Sequence, residues 1–139
     1  MSQAPTTIFI IDDDEIYQFT AKKTIELLKF EGNVVCFRNG QLGLNYLLEH
    51  SADALLLPDI ILLDINMPVM NGWQFLELFG PVRETLCKQA SIYMVSSSLD
   101  RNEAIRSRQY PAVVDFVVKP LQVDQITKIL NPITPADLI

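Results

Sequence analysis

Five residues stand where apolar runs stop. Asp12 and Asp13 follow Ile8-Phe9-Ile10-Ile11, Asp64 follows Ile60-Ile61-Leu62-Leu63, Ser96 follows Ile92-Tyr93-Met94-Val95, and Lys119 follows Phe116-Val117-Val118. Carboxylates brought together repel one another, and at least one should keep its proton unless a cation sits among them. A hard divalent ion with oxygen ligands meets that need. Mg²⁺ typically takes one or two carboxylates and keeps several waters, which leaves room for a phosphate oxygen. Lys119 adds a compact positive charge, and Ser96 adds a hydroxyl that can donate to the same oxygen. A carboxylate is also a nucleophile in phosphoryl transfer, giving an aspartyl phosphate, a reaction that needs mainly positioning and charge neutralisation. Any one of the five alone reads as a turn residue, a helix cap or a solvated lysine. Together they read as one site.

The elements that would bring them together can be read from the same runs. Apolar stretches at 7–11, 34–37, 59–64, 91–95 and 113–118 lack polar alternation, as strands buried on both faces do. Helical stretches fall between them. The first, 15–30, carries Ile16, Phe19, Thr24, Ile25, Leu27 and Leu28 at roughly helical spacing, with Asp14 at its start. The second opens at Asn39-Gly40 and carries Leu42, Leu44, Leu47 and Leu48, with His50 at its end. The third begins at Trp73, which is expected to be partly buried. A short fourth over 101–108 is capped by Asp100 and carries Arg101, Arg106 and Arg108 on a solvated or docking face. The fifth spans 124–130. Strands alternating with helices predict an α/β fold, a doubly wound five-stranded parallel sheet with helices on both faces. In the flavodoxin-like order 2-1-3-4-5, strands one, three, four and five are neighbours. Their carboxyl ends, where such sheets bind ligands, then carry all five residues.

The bulk numbers agree. A chain of 139 residues, 49% hydrophobic, suits a single domain, with a core over about 7–130 and a loose C-terminal tail at 131–139. A net charge of -6 argues against nucleic acid or an anionic membrane as partner. Residues 1–7 do not read as a signal peptide, and no apolar run reaches the ~20 residues that span a bilayer. The expected compartment is the cytoplasm. Cys36 and Cys87 are too few for a disulfide framework and are expected as buried free thiols. Residues 55–58 form an apolar loop expected to lie across the surface.

The order Ile11-Asp12-Asp13, Leu63-Asp64-Ile65-Asn66-Met67-Pro68, Val95-Ser96-Ser97 and Val118-Lys119-Pro120 resembles the response-regulator receiver domain of two-component signalling, from Thr7 to about Leu130. The resemblance implies that Asp64 is the phosphoacceptor and that Mg²⁺ is held by Asp12, Asp13, Asp64 and the backbone carbonyl of Asn66. It implies that Lys119 and Ser96 contact the phosphoryl group, that a cis bond precedes Pro120, and that Gly72 is the family glycine after the Met-Pro loop. Ser96 and Phe116 would form the switch, reporting to a face of helix four, strand five and helix five. The implied partners are a histidine kinase or histidine phosphotransfer protein and a downstream protein at that face, with the chain a monomer or weak dimer. It resembles the single-domain type, without an attached output domain. Two departures stand out. Tyr110-Pro111-Ala112 replaces the usual Gly-Ala, which predicts a rebuilt loop before strand five. Phe116 stands where many relatives have tyrosine, so a hydroxyl latch is lacking.

Two other function classes fit parts of the pattern. A haloacid-dehalogenase-type phosphatase also uses an aspartate and Mg²⁺, but it wants a second aspartate where Asn66 stands. A phosphate-independent interaction module would usually have lost an acid or the lysine. The expected function is therefore a phospho-receiver, with no turnover of an external substrate.

Overall fold

The computed structural model describes residues 7–98 and 100–130. Strands and helices alternate through them: β1 (Thr7–Ile11), α1 (Glu15–Leu27), β2 (Asn33–Phe37), α2 (Gly40–Glu49), β3 (Ile60–Asp64), α3 (Gly72–Arg83), β4 (Ser91–Ser96), α4 (Arg101–Ser107), β5 (Val113–Val118) and α5 (Val123–Leu130). Every strand pairing is parallel, and the order is β2-β1-β3-β4-β5. The predicted fold is the one observed. The expected tail at 131–139 lies outside the described residues.

Successive side chains of a strand point to opposite faces, so the apolar runs feed two cores. Phe9, Ile11, Ile61, Leu63 and Met94 join Leu44, Leu47, Phe75 and Phe79 of α2 and α3 on one face. Ile8, Ile10, Leu62 and Val95 meet Ala21, Ile25, Ile126 and Ile129 of α1 and α5 on the other. Every residue of β1 and of β3 is buried, which is why neither run alternates with polar residues. Each fully buried aliphatic side chain contributes about 1.5–3 kcal/mol, so these two strands are the best-anchored part of the sheet.

The edge strand β5 is built differently. Its register slips by one residue: Ile92 pairs with Val113, but Tyr93 pairs with Asp115. Val114 is left over and points outward. Because side chains alternate, this bulge returns Phe116 to the Met94 face, where it packs on the α2–α3 core.

Five expectations need correction. In α1 the buried face is Ala21 and Ile25, flanked by Tyr17 and Leu28. Ile16, Phe19 and Leu27 are 78%, 65% and 80% exposed. Positions 17, 21, 25 and 28 form the inward stripe, and the more apolar stripe faces out. The helix also stops at Leu27 rather than at 30, because Leu28 is its cap and Lys29 turns into the left-handed region (φ 62). The cysteines are not buried: Cys36 is half-buried on edge strand β2, and Cys87 is exposed after α3, where its N–H donates to Ser51 O. Trp73 is more deeply buried than expected, with 6% exposed, and in the 55–58 loop Leu57 turns into the core while Leu55 stays outside.

Candidate functional site

Backbone and capping hydrogen bonds fix the first acidic pair. The Asp12 N–H donates to Phe37 O at 3.0 Å, extending the β1–β2 ladder past the end of β1. The Asp12 carboxylate accepts from the Asp14 N–H at 2.8 Å. Asp14 in turn caps α1, accepting from the N–H groups of Ile16 and Tyr17 at 3.0 and 3.1 Å. An anion there also suits the helix dipole. The Gln18 amide donates to both Asp12 O (2.7 Å) and Phe37 O (3.0 Å). The first turn of α1 is thereby tied to the ends of two strands.

Asp64 ends β3, and the chain after it folds back tightly. Ile65 N–H donates to Val95 O at 3.0 Å, and Gly72 N–H donates to Ile65 O at 2.8 Å. A Cβ at position 72 would lie 2.7 Å from Asp64 O and 2.9 Å from Ile65 Cα. Only glycine lets α3 begin this close to the acid. Val69, in the intervening loop, has φ 70, a region that β-branched residues rarely adopt; such strain costs about 1–3 kcal/mol.

The three acids converge as expected. Asp12, Asp13 and Asp64 each offer a carboxylate oxygen, all within 4.8 Å of one another. Lys119 Nζ lies 2.8 Å from Asp12 Oδ2 and 3.7 Å from Asp64 Oδ1. Burial, helped by the Asp12 charge and opposed by Lys119, pushes the Asp64 carboxyl up to about 7. Burial also raises Asp12, while its hydrogen bond with Lys119 works the other way. One ammonium is thus shared between two buried acids, with a third at the rim. An all-oxygen set this crowded fits a small, hard divalent cation, which would relieve the repulsion that burial enforces.

The remaining predicted residues differ in how near they lie to this cluster. Ser96 is completely buried, but its hydroxyl is engaged, donating to Ser98 O at 2.9 Å and accepting from Ser98 N–H at 3.2 Å. The Lys119 N–H donates to Ser96 O at 2.7 Å, so the two are joined through the backbone. The Lys119–Pro120 bond is cis. Asn66 is exposed beside Asp64, and its N–H reaches the Asp64 carboxylate at 3.4 Å. Phe116 is half-buried in β5, away from the acids.

The structure adds one feature that the sequence did not point out and supplies the contacts of another that it did. Tyr17 lays its ring 4.4 Å from Lys119 Nζ, and its buried hydroxyl has no hydrogen-bond partner. Its phenol is raised by burial and by the charges of Asp12 and Asp64. The only available signal was its place on the inward face of α1, one turn after Asp13. The second feature is the loop before β5, where the sequence carries Tyr110-Pro111-Ala112. The Tyr110 hydroxyl donates to Glu77 at 2.6 Å, its ring lies 6.0 Å from that of Trp73, and the Arg106 guanidinium sits 4.4 Å over Trp73. These contacts tie α4 and the following loop to α3.

Known proteins resemble this chain in sequence and fold. Residues 8–131 match the family model described as "Response regulator receiver domain". Chemotaxis protein CheY of Bacillus subtilis (strain 168) is 31% identical over 124 residues, covering 89% of this chain and 93% of CheY. The nitrate/nitrite response regulator protein NarL of Escherichia coli (strain K12) is 28% identical over 139 residues; the match covers 99% of this chain but 59% of NarL. Among solved structures, a two component response regulator from Cytophaga hutchinsonii superposes with a TM-score of 0.78 at 27% identity, covering 94% of this chain and 97% of that one. Among the described residues, no helix is long and apolar enough to cross a membrane.

Proposed function

The chain belongs to the response regulator receiver domain family of two-component signalling, and from that premise we propose that Asp64 accepts a phosphoryl group from a phosphohistidine donor. The observation that carries this reading is the Asp64 carboxylate at the end of β3, crowded by Asp12 and Asp13 and faced by Lys119 at 3.7 Å. In the transfer, an Asp64 oxygen forms a bond to phosphorus as the bond from phosphorus to the donor's imidazole nitrogen breaks. The leaving nitrogen keeps the electron pair. Asp12, Asp13, Asp64 and the Asn66 carbonyl would hold Mg²⁺, which supplies charge neutralisation for the carboxylates and the phosphoryl oxygens. Lys119 turns its ammonium from the carboxylates to a phosphoryl oxygen and stabilises charge there.

Ser96 supplies the switch. Its hydroxyl is committed to Ser98, so donating to a phosphoryl oxygen requires giving up that pair. The movement is passed to β5 through the Lys119–Ser96 backbone bond and to Phe116, which flanks a downstream-partner face of α4, β5 and α5. Ser96→Ala should therefore weaken output at matched phosphorylation. The donor is a histidine kinase or histidine phosphotransfer protein, and the chain acts as a monomer or weak dimer. No external phosphate ester, such as para-nitrophenyl phosphate, should be turned over.

Intact mass after incubation with acetyl phosphate and Mg²⁺ tests the proposal. One phosphoryl adduct is expected on the wild type, dependent on Mg²⁺ and absent from Asp64→Asn. An adduct that persists in Asp64→Asn would move the acceptor elsewhere. Absence of both the adduct and Mg²⁺ binding would favour a phosphate-independent module.

A further inference from the structure

Lys119 is held on three sides, by Asp12 Oδ2 at 2.8 Å, by Asp64 Oδ1 at 3.7 Å and by the Tyr17 ring at 4.4 Å. The first two supports are carboxylates of the group that would also hold a divalent cation. Two cations then compete for Asp12, and the Lys119–Asp12 pair is the one exposed to that competition. The aromatic face is different, because it attracts an ammonium through its quadrupole and offers a hard metal no oxygen ligand of the kind it prefers. We infer that Tyr17 is a positioning residue whose ring keeps the Lys119 ammonium beside Asp64 when a divalent cation engages Asp12. The inference rests on the phosphoacceptor reading above.

The placement of the ring supports this. The Tyr17 N–H is fixed by the Asp14 cap at 3.1 Å, and neighbouring Gln18 ties the same turn to the ends of β1 and β2. The ring packs on the core between the sheet, α1 and α5, so it cannot follow Lys119 and instead limits where Lys119 goes. It is the ring that meets Lys119, since the buried hydroxyl has no hydrogen-bond partner. A phenylalanine should therefore hold the lysine as well, and an aliphatic side chain should not.

The test combines a spectroscopic signature with a rate. An aromatic face shifts nearby protons upfield, so the Lys119 ε-methylene, assigned against Lys119→Gln, should resonate upfield in the wild type and remain so when Mg²⁺ is added. The shift should persist in Tyr17→Phe and vanish in Tyr17→Leu. Phosphorylation by acetyl phosphate should slow roughly tenfold in Tyr17→Leu, the value of a largely desolvated cation–π contact, and be restored by Tyr17→Phe. Loss of the wild-type shift on adding Mg²⁺ would overturn the inference without any variant. So would a folded Tyr17→Leu that matches the wild-type rate, or a Tyr17→Phe as slow as Tyr17→Leu. A wild type that takes no phosphate would sink the acceptor reading, whereas the methylene shift reports the lysine's position independently of phosphate.

Discussion

The acidic end of β1 and β3 and the α4–β5 edge lie on one sheet but are held by different forces. At the acidic end, both strands are buried along their whole length, and caps and side-chain amides lock the turns that follow. At the edge, α4 buries only Ser107 among its described residues, and β5 buries only Val117. Polar and aromatic contacts tie this edge to α3, Arg106 of α4 on Trp73 and Tyr110 of the following loop on Glu77. Groups that must stay within fractions of an ångström of a reacting atom need rigid support. A surface that changes state draws on the less stable parts of a fold. On the proposed function, reaction and report are assigned to regions whose packing suits each.

Four measurements test that division, beginning with the largest effect. Gly72→Ala should cost about 3 kcal/mol in urea unfolding, the upper range for overpacking, because its Cβ would meet backbone atoms of Asp64 and Ile65 that have nowhere to go. A variant as stable as the wild type would mean that the acidic end yields easily. Next comes pH. Without metal, the folded Asp64 carboxyl titrates at about 7, against roughly 4 when unfolded. The folded state then binds the proton more tightly, so this group's contribution to stability falls as pH rises from about 4 to about 7. Its size should be on the order of 2 kcal/mol, allowing for solvent screening at the mouth of the site. Unfolding with a chelator present, wild type against Asp64→Asn, should show the difference; parallel pH profiles would refute it.

The smaller effects belong to the periphery. Arg106→Ala should cost about 1 kcal/mol and change the fluorescence of Trp73, the single tryptophan. Hydrogen exchange should quicken in α4 and remain slow in β1 and β3; equal quickening throughout would erase the distinction. Phe19→Ser on the outer face of α1 should shift stability by no more than about 0.5 kcal/mol. A larger loss in thermal melts would mean that this face is packed after all.

The strands were legible because each apolar run ends on a polar residue, and that same feature located Asp12, Asp13, Asp64, Ser96 and Lys119. The helix faces were harder. In α1 the strongly apolar Ile16, Phe19 and Leu27 outweigh Tyr17 and Ala21, yet the latter face the core. Periodicity records where apolar residues recur, not which stripe of the helix packs against the core. Tyr17 escaped notice for the same reason: an aromatic residue on a helix is ordinarily a core residue, and its contact with Lys119 spans about a hundred positions. The cysteines misled because local neighbours cannot reveal that β2 is an edge strand or that Cys87 lies in an exposed loop.

The bulge in β5 makes the identity of its faces a matter of parity. Val114 is the odd residue, and beyond it Phe116 stands beside Met94 and Asp115 beside Tyr93. Point substitutions in this strand alter what each face carries, one position at a time. Loss of Val114 would close the bulge and leave Asp115 opposite Tyr93 and Phe116 opposite Met94, whereas one extra residue between Asp115 and Phe116 would turn Phe116 away from the Met94 face. Past the bulge, length is under a stricter constraint than composition.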